Sequence, residues 1–267
     1  MIVIGEKLNG AIPSVAKAIS ERDEAFIKSV LHQQLEAGVD FIDVCAGTPQ
    51  DEEMEVLEWM IDIIQNETDT PICIDSPNPH ALKDILPKLK AEGLINSVSG
   101  EGSKCEVIFP LMRDNGWQVV ALACDENGIP DTADKRVEIA IRLIEKAAQY
   151  GITPDRIHID PLVMALATFN ESMICFMETV QSVKAKYPTV KITSGLSNIS
   201  FGMPVRKLIN QGFLTLAMYA GMDSAIIDPT NRDFYGTILA AEVLLGRDKF
   251  CKNYNKAYRS GRIGPVK

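Results

Sequence analysis

Arg156-Ile157-His158-Ile159-Asp160-Pro161 is too short for a stable helix and rich in β-branched isoleucine. It is closed by a proline that cannot donate to a sheet ladder. It reads as a strand buried on both faces of a parallel sheet, ending on a carboxylate. Pro71-Ile72-Cys73-Ile74-Asp75 repeats the pattern. Ile2-Val3-Ile4, Phe41-Ile42-Asp43-Val44, Leu94-Ile95-Asn96, Gln118-Val119-Val120-Ala121-Leu122, Val190-Lys191-Ile192-Thr193 and Asp223-Ser224-Ala225-Ile226-Ile227 bring the runs to eight.

Helical patterns fill the gaps. Met54, Leu57, Met60, Ile61 and Ile64 recur at three- and four-residue steps, with acids opposite. Val137, Ile141, Ile144 and Ala148 do the same in a segment that Asp131-Thr132 can cap. Gly38, Gly93, Gly116, Gly151 and Gly221 stand where helices end. The strand starts are roughly 30 residues apart, the size of one βα unit. Eight such units predict a (β/α)8 TIM barrel. A doubly wound sheet is the alternative, with fewer strands and a glycine-rich first turn. No linker divides residues 1–267, which read as one domain with a short helical piece, Pro13 to Ser20, ahead of the first long helix.

The composition is that of a globular chain, 46% hydrophobic and 24% charged. A net charge of −9 disfavours a nucleic acid partner. No run is long and apolar enough for a membrane span, and the N-terminus lacks a signal-peptide pattern, so a cytoplasmic location is expected. From about residue 246 the balance reverses. Arg247, Lys249, Lys252, Lys256, Arg259, Arg262 and Lys267 face only Asp248, giving a tail that is either a solvated, partly frayed terminus or a docking surface for acidic groups. The six cysteines form no C-x-x-C pair, and His32, His80 and His158 have no metal-ligand spacing, so no bound metal is expected.

In such a barrel, chemistry sits at the C-terminal ends of the strands. There the sequence places Glu6 and Asn9, Asp43, Asp75 with Asn78, Asn96, Asp160, and Asn198 just past the seventh run. Carboxylates accept hydrogen bonds from adjacent N–H groups, and amides both donate and accept. The set suits the amino-pyrimidinone edge of a flat heterocycle. It suits neither phosphate, which wants Arg, Lys or glycine N–H groups, nor a hard metal ion. The blander reading is that Asp and Asn merely end strands and cap helices. Gly100-x-Gly102-Ser103-Lys104 is an incomplete phosphate loop, and Ser197 lacks the flanks of a nucleophile elbow.

Gly5-Glu6-Lys7-Leu8-Asn9-Gly10, Cys73-Ile74-Asp75-Ser76, Ile95-Asn96-Ser97, Ile159-Asp160-Pro161-Leu162 and Gly195-Leu196-Ser197-Asn198-Ile199-Ser200 carry a further signal. Together they resemble the pterin-binding methyltransferases, and within them the methyltetrahydrofolate–corrinoid protein methyltransferases and the folate module of cobalamin-dependent methionine synthase. The resemblance runs from Ile2 to about Leu245. It implies a barrel of the dihydropteroate-synthase type that moves a methyl group between N5 of tetrahydrofolate and the cobalt of a corrinoid protein, in a direction left open. Tetrahydrofolate or 5-methyltetrahydrofolate would be substrate, and the corrinoid would ride on a transient partner. A homodimer is implied too. By the same resemblance Asp75, Asn96 and Asp160 hold the pterin edge, and Asn198 sits near N5 as the catalytic amide with Asp160. Past Ser200, Phe201-Gly202-Met203-Pro204-Val205-Arg206 is closer to the methionine synthase pattern and makes Arg206 a candidate substrate contact. Two alternatives remain: a dihydropteroate synthase-like enzyme, whose pyrophosphate-binding first loops are not seen in Glu6-Lys7-Leu8-Asn9-Gly10, and a non-catalytic pterin or corrinoid-protein binding module.

Overall fold

In the computed structural model, residues 1–265 are described. Eight strands appear where the eight runs lie: β1 (Ile2–Asn9), β2 (Phe41–Cys45), β3 (Ile72–Asp75), β4 (Leu94–Ser99), β5 (Gln118–Leu122), β6 (Ile157–Asp160), β7 (Lys191–Ile192) and β8 (Ser224–Ile227). Each pairs in parallel with its sequence neighbour from β1 to β7, and β1 also pairs with β8. The ring closes where the Asp223 amide donates to the Ile192 carbonyl (3.0 Å) and the Ile226 amide to that of Ser194 (3.1 Å). The fold is a (β/α)8 TIM barrel.

Two strands outrun their apolar segments. β1 continues to Asn9 through a register shift between Gly5 and Leu8, and β4 continues to Ser99 through one between Asn96 and Val98. Glu6 and Asn9 therefore lie within β1 rather than after it. Such bulges re-aim side chains at a barrel rim, and the polar residues they carry break the apolar pattern that marks a strand.

The outer ring comprises α1 (Pro13–Glu21), α2 (Glu24–Ala37), α3 (Gln50–Glu67), α4 (Pro79–Ile85), α5 (Lys104–Ile108), α6 (Ala133–Ala148), α7 (Ser172–Lys186), α8 (Arg206–Ala220) and α9 (Arg232–Leu244), followed by α10 (Lys252–Arg259). α3 buries the stripe its periodicity predicts. On α6 the buried face is centred on Arg136, Ile139, Ala140, Leu143, Ile144 and Ala147, with Val137 and Ile141 at its flank and Ala148 exposed. A buried arginine displaced the apolar signal. Gly38 ends α2 at φ 83°. Gly93 has a different reason: a Cβ there would stand 2.1 Å from the Ile72 carbonyl oxygen, so the position serves a close strand approach.

In-register parallel pairing sends paired residues to the same side of the sheet. Ile4, Phe41, Cys73, Leu94 and Val120 pack together inside the barrel, apart from the larger core between strands and helices. Below them a polar plug forms. His158 Nδ1 lies 2.8 Å from Ser224 Oγ and Nε2 lies 3.0 Å from Gln118 Oε1, which also accepts from Lys191. Above them, the register places Asp43, Cys45, Asp75, Asn96 and Asp160 on the same inward face.

The basic tail is not frayed over the described residues. Ala257 and Ile263 bury against Leu239 of α9. Arg262 stacks on Tyr235 at 4.0 Å and donates to the Ala37 carbonyl. Asp248 accepts from the amides of Asn253 and Tyr254, which starts α10. The tail lines a hollow with Met1, Val3 and Asp40, at the N-terminal ends of the strands and opposite the polar rim. Lys267 lies outside the described residues.

Candidate functional site

The rim grows from the inward positions of five strands. Asp43 is the deepest acid, 2% exposed, with the Cys73 and Asn96 side chains beside it acting against the rise in its pKa. Burial, then the charge of Asp75, pushes its pKa well above the carboxylate range. Asp75 ends β3 and is less enclosed. Burial raises its pKa to about 6, the Glu53 charge adds to this, and the Cys45 thiol opposes it by donating a hydrogen bond. Asp160 ends β6. Burial raises it to about 6 against the Leu162 and Gly195 amides and the Arg136 charge. The Leu162 amide donates to its Oδ1 at 2.8 Å.

Glu6 is largely enclosed. Burial and the neighbouring Asp228 raise its pKa to about 7, while Lys7 opposes the rise. Lys7 Nζ itself lies 3.3 Å from Asp228. The rim thus holds two carboxylates ionised near neutrality, one deeper acid raised well above the carboxylate range, one acid poised between the two states, and the amide of Asn96. Asp43 Oδ1 and Thr193 Oγ1 are buried with no hydrogen-bond partner among the described residues. Orphaned polar atoms in a polar mouth call for a polar ligand. A flat ring with several N–H groups and a carbonyl meets that need; a phosphate does not, because Lys7 is already paired.

Not every expected residue converges on this mouth. Asn198 lies in a short 3-10 turn (Leu196–Ser200), is exposed, and makes no side-chain hydrogen bond among the described residues. Its amide lies over Gly195, where a Cβ would come within 3.1 Å of Nδ2. Asn9 spends its side-chain oxygen on the Ala11 amide at 2.8 Å and so shapes the turn after β1. Asn78 caps α4 through the His80 amide. Arg206 braces the loop after β7, donating to the Ser197 carbonyl (2.7 Å) and to Ser200 Oγ (3.0 Å). Lys104, the last residue of the incomplete phosphate loop, is paired with Glu101 at 2.8 Å.

Two residues went unread in the sequence. Cys45 lies two positions after Asp43, so strand periodicity already turned it inward; burial and the two nearby aspartates push its thiol to about 12, which keeps it protonated beside Asp75. Arg136 gave no signal beyond an odd charge in a helical stripe. Among the described residues, no three His, Cys, Asp or Glu side chains gather as metal ligands, and no helix is long and apolar enough to cross a membrane.

A closed eight-stranded barrel with carboxylates and amides at its C-terminal mouth defines an enzyme class that reads flat, N–H-rich heterocycles. Residues 13–228 match the model of the pterin binding enzyme family, and the chain belongs to that family. It is 55% identical, over 100% of its length and 99% of the relative's, to a methylcorrinoid:tetrahydrofolate methyltransferase of Eubacterium limosum. It is 32% identical over 85% of its length to a methionine synthase of Mycobacterium tuberculosis, of which it spans 20%. Among solved structures, a Xanthomonas albilineans dihydropteroate synthase with 4-aminobenzoic acid has the same fold: TM-score 0.68, 18% identity, 93% of each chain covered.

Proposed function

We propose that this chain transfers a methyl group between the cobalt of a corrinoid protein and N5 of tetrahydrofolate, with tetrahydrofolate as acceptor. The observation that supports the reading best is that Asp75 and Asp160 end strands on the inward face of a mouth with orphaned polar atoms, in a chain 55% identical end to end to a methylcorrinoid:tetrahydrofolate methyltransferase. The direction follows that relative's.

The chain's own part is to bind, orient and manage a proton. Asp75 and Asp160 accept from the N–H groups of the pterin edge. Asn96 adds a donor and an acceptor, and Asp43 holds Asn96 in place from beneath. The corrinoid, brought by a partner protein, supplies the methyl group. N5 gives its lone pair to the new N–CH3 bond and releases its proton, while the electrons of the broken bond stay with the partner. Asn198 has no side-chain hydrogen bond among the described residues, so its amide can accept from N5–H and follow that proton as charge develops. An oriented dipole at such a position is commonly worth about 2.7–4 kcal/mol in the transition state. The mouth stays open for a transient partner to approach N5 directly.

A homodimer fits the outer surface. Leu208, Leu216 and Tyr219 are 67%, 47% and 68% exposed along one stripe of α8, an apolar face that monomers rarely leave uncovered. We also place the chain in the cytoplasm.

The test is methyl transfer followed through the cobalt spectrum of a methylated corrinoid protein, with and without tetrahydrofolate. Loss of the methyl-cobalt bands only when both folate and enzyme are present supports the reading; binding of folate without any spectral change would leave a pterin-binding module. In the same assay, Asn198→Ala is expected to lower kcat far more than it weakens folate binding, because the hydrogen bond from N5–H strengthens as N5 gains positive charge on taking the methyl group. Equal losses would make Asn198 a ground-state contact only.

A further inference from the structure

Helix α6 carries a guanidinium on its buried face. Arg136 is fully buried, and its partners are main-chain carbonyls: Nε donates to Pro130 O at 2.8 Å, and Nη1 to Pro161 O and Leu162 O, both at 2.9 Å. Nη2 has no hydrogen-bond partner among the described residues. A buried charge is costly unless its hydrogen bonds have a use, and an apolar side chain of similar length would fill the same space without that cost. The two carbonyls held by Nη1 belong to the loop directly after Asp160. Leu162 sits there at φ 63°, a left-handed conformation that its Cβ disfavours. From that conformation its amide donates to Asp160 Oδ1. Guanidinium, carbonyls, strained leucine and carboxylate form one connected chain of contacts.

We propose that Arg136 is a positioning residue for pterin recognition: it clamps the Pro161 and Leu162 carbonyls, holds Leu162 left-handed, and so fixes the orientation of the Asp160 carboxylate. This rests on the reading of Asp160 as a pterin contact. Arg136 touches no substrate itself, and its effect passes through the loop.

Tetrahydrofolate titrations of the full chain test the clamp in a double-mutant cycle. R136M is expected to weaken binding about tenfold or more, yet less than about twofold when added to D160A, because both changes act on one contact. L162G should return the R136M protein to within about threefold of wild type, since glycine takes a positive φ without a clamp. A merely structural role for Arg136 would not be rescued by a glycine at position 162. If R136M does not fold, R136K, which keeps the charge but spans fewer carbonyls, takes its place in the same cycle. Losses that multiply in the D160A background, a folded R136M with wild-type affinity, or no recovery with L162G would overturn the clamp. D160A with undiminished affinity would instead overturn the pterin site at this rim, whatever Arg136 does.

Discussion

Asp75 and Asp160 share a tuning that bears directly on ligand binding. Burial lifts each to about 6, and each must be ionised to accept from a ring N–H. Tetrahydrofolate affinity is therefore expected to be flat above pH 7 and to fall as pH drops through 6. Below that, it should fall by up to tenfold per unit for each carboxylate that must lose a proton, which titrations from pH 5 to 8 will read. Asp75→Ala removes one acceptor, worth roughly 1.5–3 kcal/mol for a hydrogen bond to a charged group, so about one to two decades in affinity. The D75A profile should lose one proton's worth of slope. An unchanged profile would mean that Asp75 does not meet the ligand. Asp43 differs because it lies buried beneath the rim rather than at it; its replacement by Asn, which keeps a donor and an acceptor, should alter affinity little.

At the scale of elements, the barrel interior is a stack of an apolar layer between polar ones. Leu94 is fully buried in the middle layer with Ile4, Phe41, Cys73 and Val120. Leu94→Ala is expected to cost about 2–5 kcal/mol in denaturant unfolding, because strands on every side resist collapse into the cavity. The plug beneath it is tuned by burial, which lowers the His158 pKa from 6.5 to about 3. The folded state keeps His158 neutral, while the unfolded chain protonates it below about 6.5, so this histidine removes stability as pH falls from about 6.5 toward 3. The raised acids Glu6, Asp75 and Asp160 act with the opposite sign, since the fold binds their protons more readily than the unfolded chain does. The informative quantity is thus the difference between wild type and His158→Asn, whose stability should fall less steeply with acid. Parallel curves would rule out the histidine.

On the scale of the whole molecule, charge is divided between the two ends of the barrel. The basic tail is fixed at the N-terminal end, and the acidic mouth opens at the other. A five-residue strand spans about 16 Å, beyond a screening length of about 8 Å at physiological salt. Steering of a partner toward the mouth by the tail is thereby weakened. Removing residues 249–267 should instead destabilise the protein by about 2–3 kcal/mol, from lost burial of Ala257 and Ile263 and newly exposed Leu239. The salt dependence of methyl transfer should stay as it was. A truncated protein of unchanged stability and shallower salt slope would restore the tail as a docking surface. Leu216→Glu on the exposed stripe of α8 should shift sedimentation from dimer to monomer and leave folate affinity intact.

The amino-acid sequence by itself determined the strand count, the strand order and the end of the barrel where polar residues gather. These depend on local facts: short isoleucine-rich runs, helical stripes between them, and Asp or Asn at the run ends, all read from residues adjacent in the chain. It also carried Cys45, through the two-residue period that turned Asp43 inward. Only the tertiary structure decided that Asp43 is raised well above the carboxylate range, since that depends on how deeply it is enclosed and on Asp75 from another strand. The bulge that draws Glu6 and Asn9 into β1, the fixed seat of the tail against α9, and the clamp of Arg136 on the loop after Asp160 have the same origin. Each is made by groups distant in sequence, Arg136 and Leu162 by 26 residues and Arg262 and Ala37 by 225. Pattern along a chain reports which face a side chain takes; it does not report what comes to meet it there.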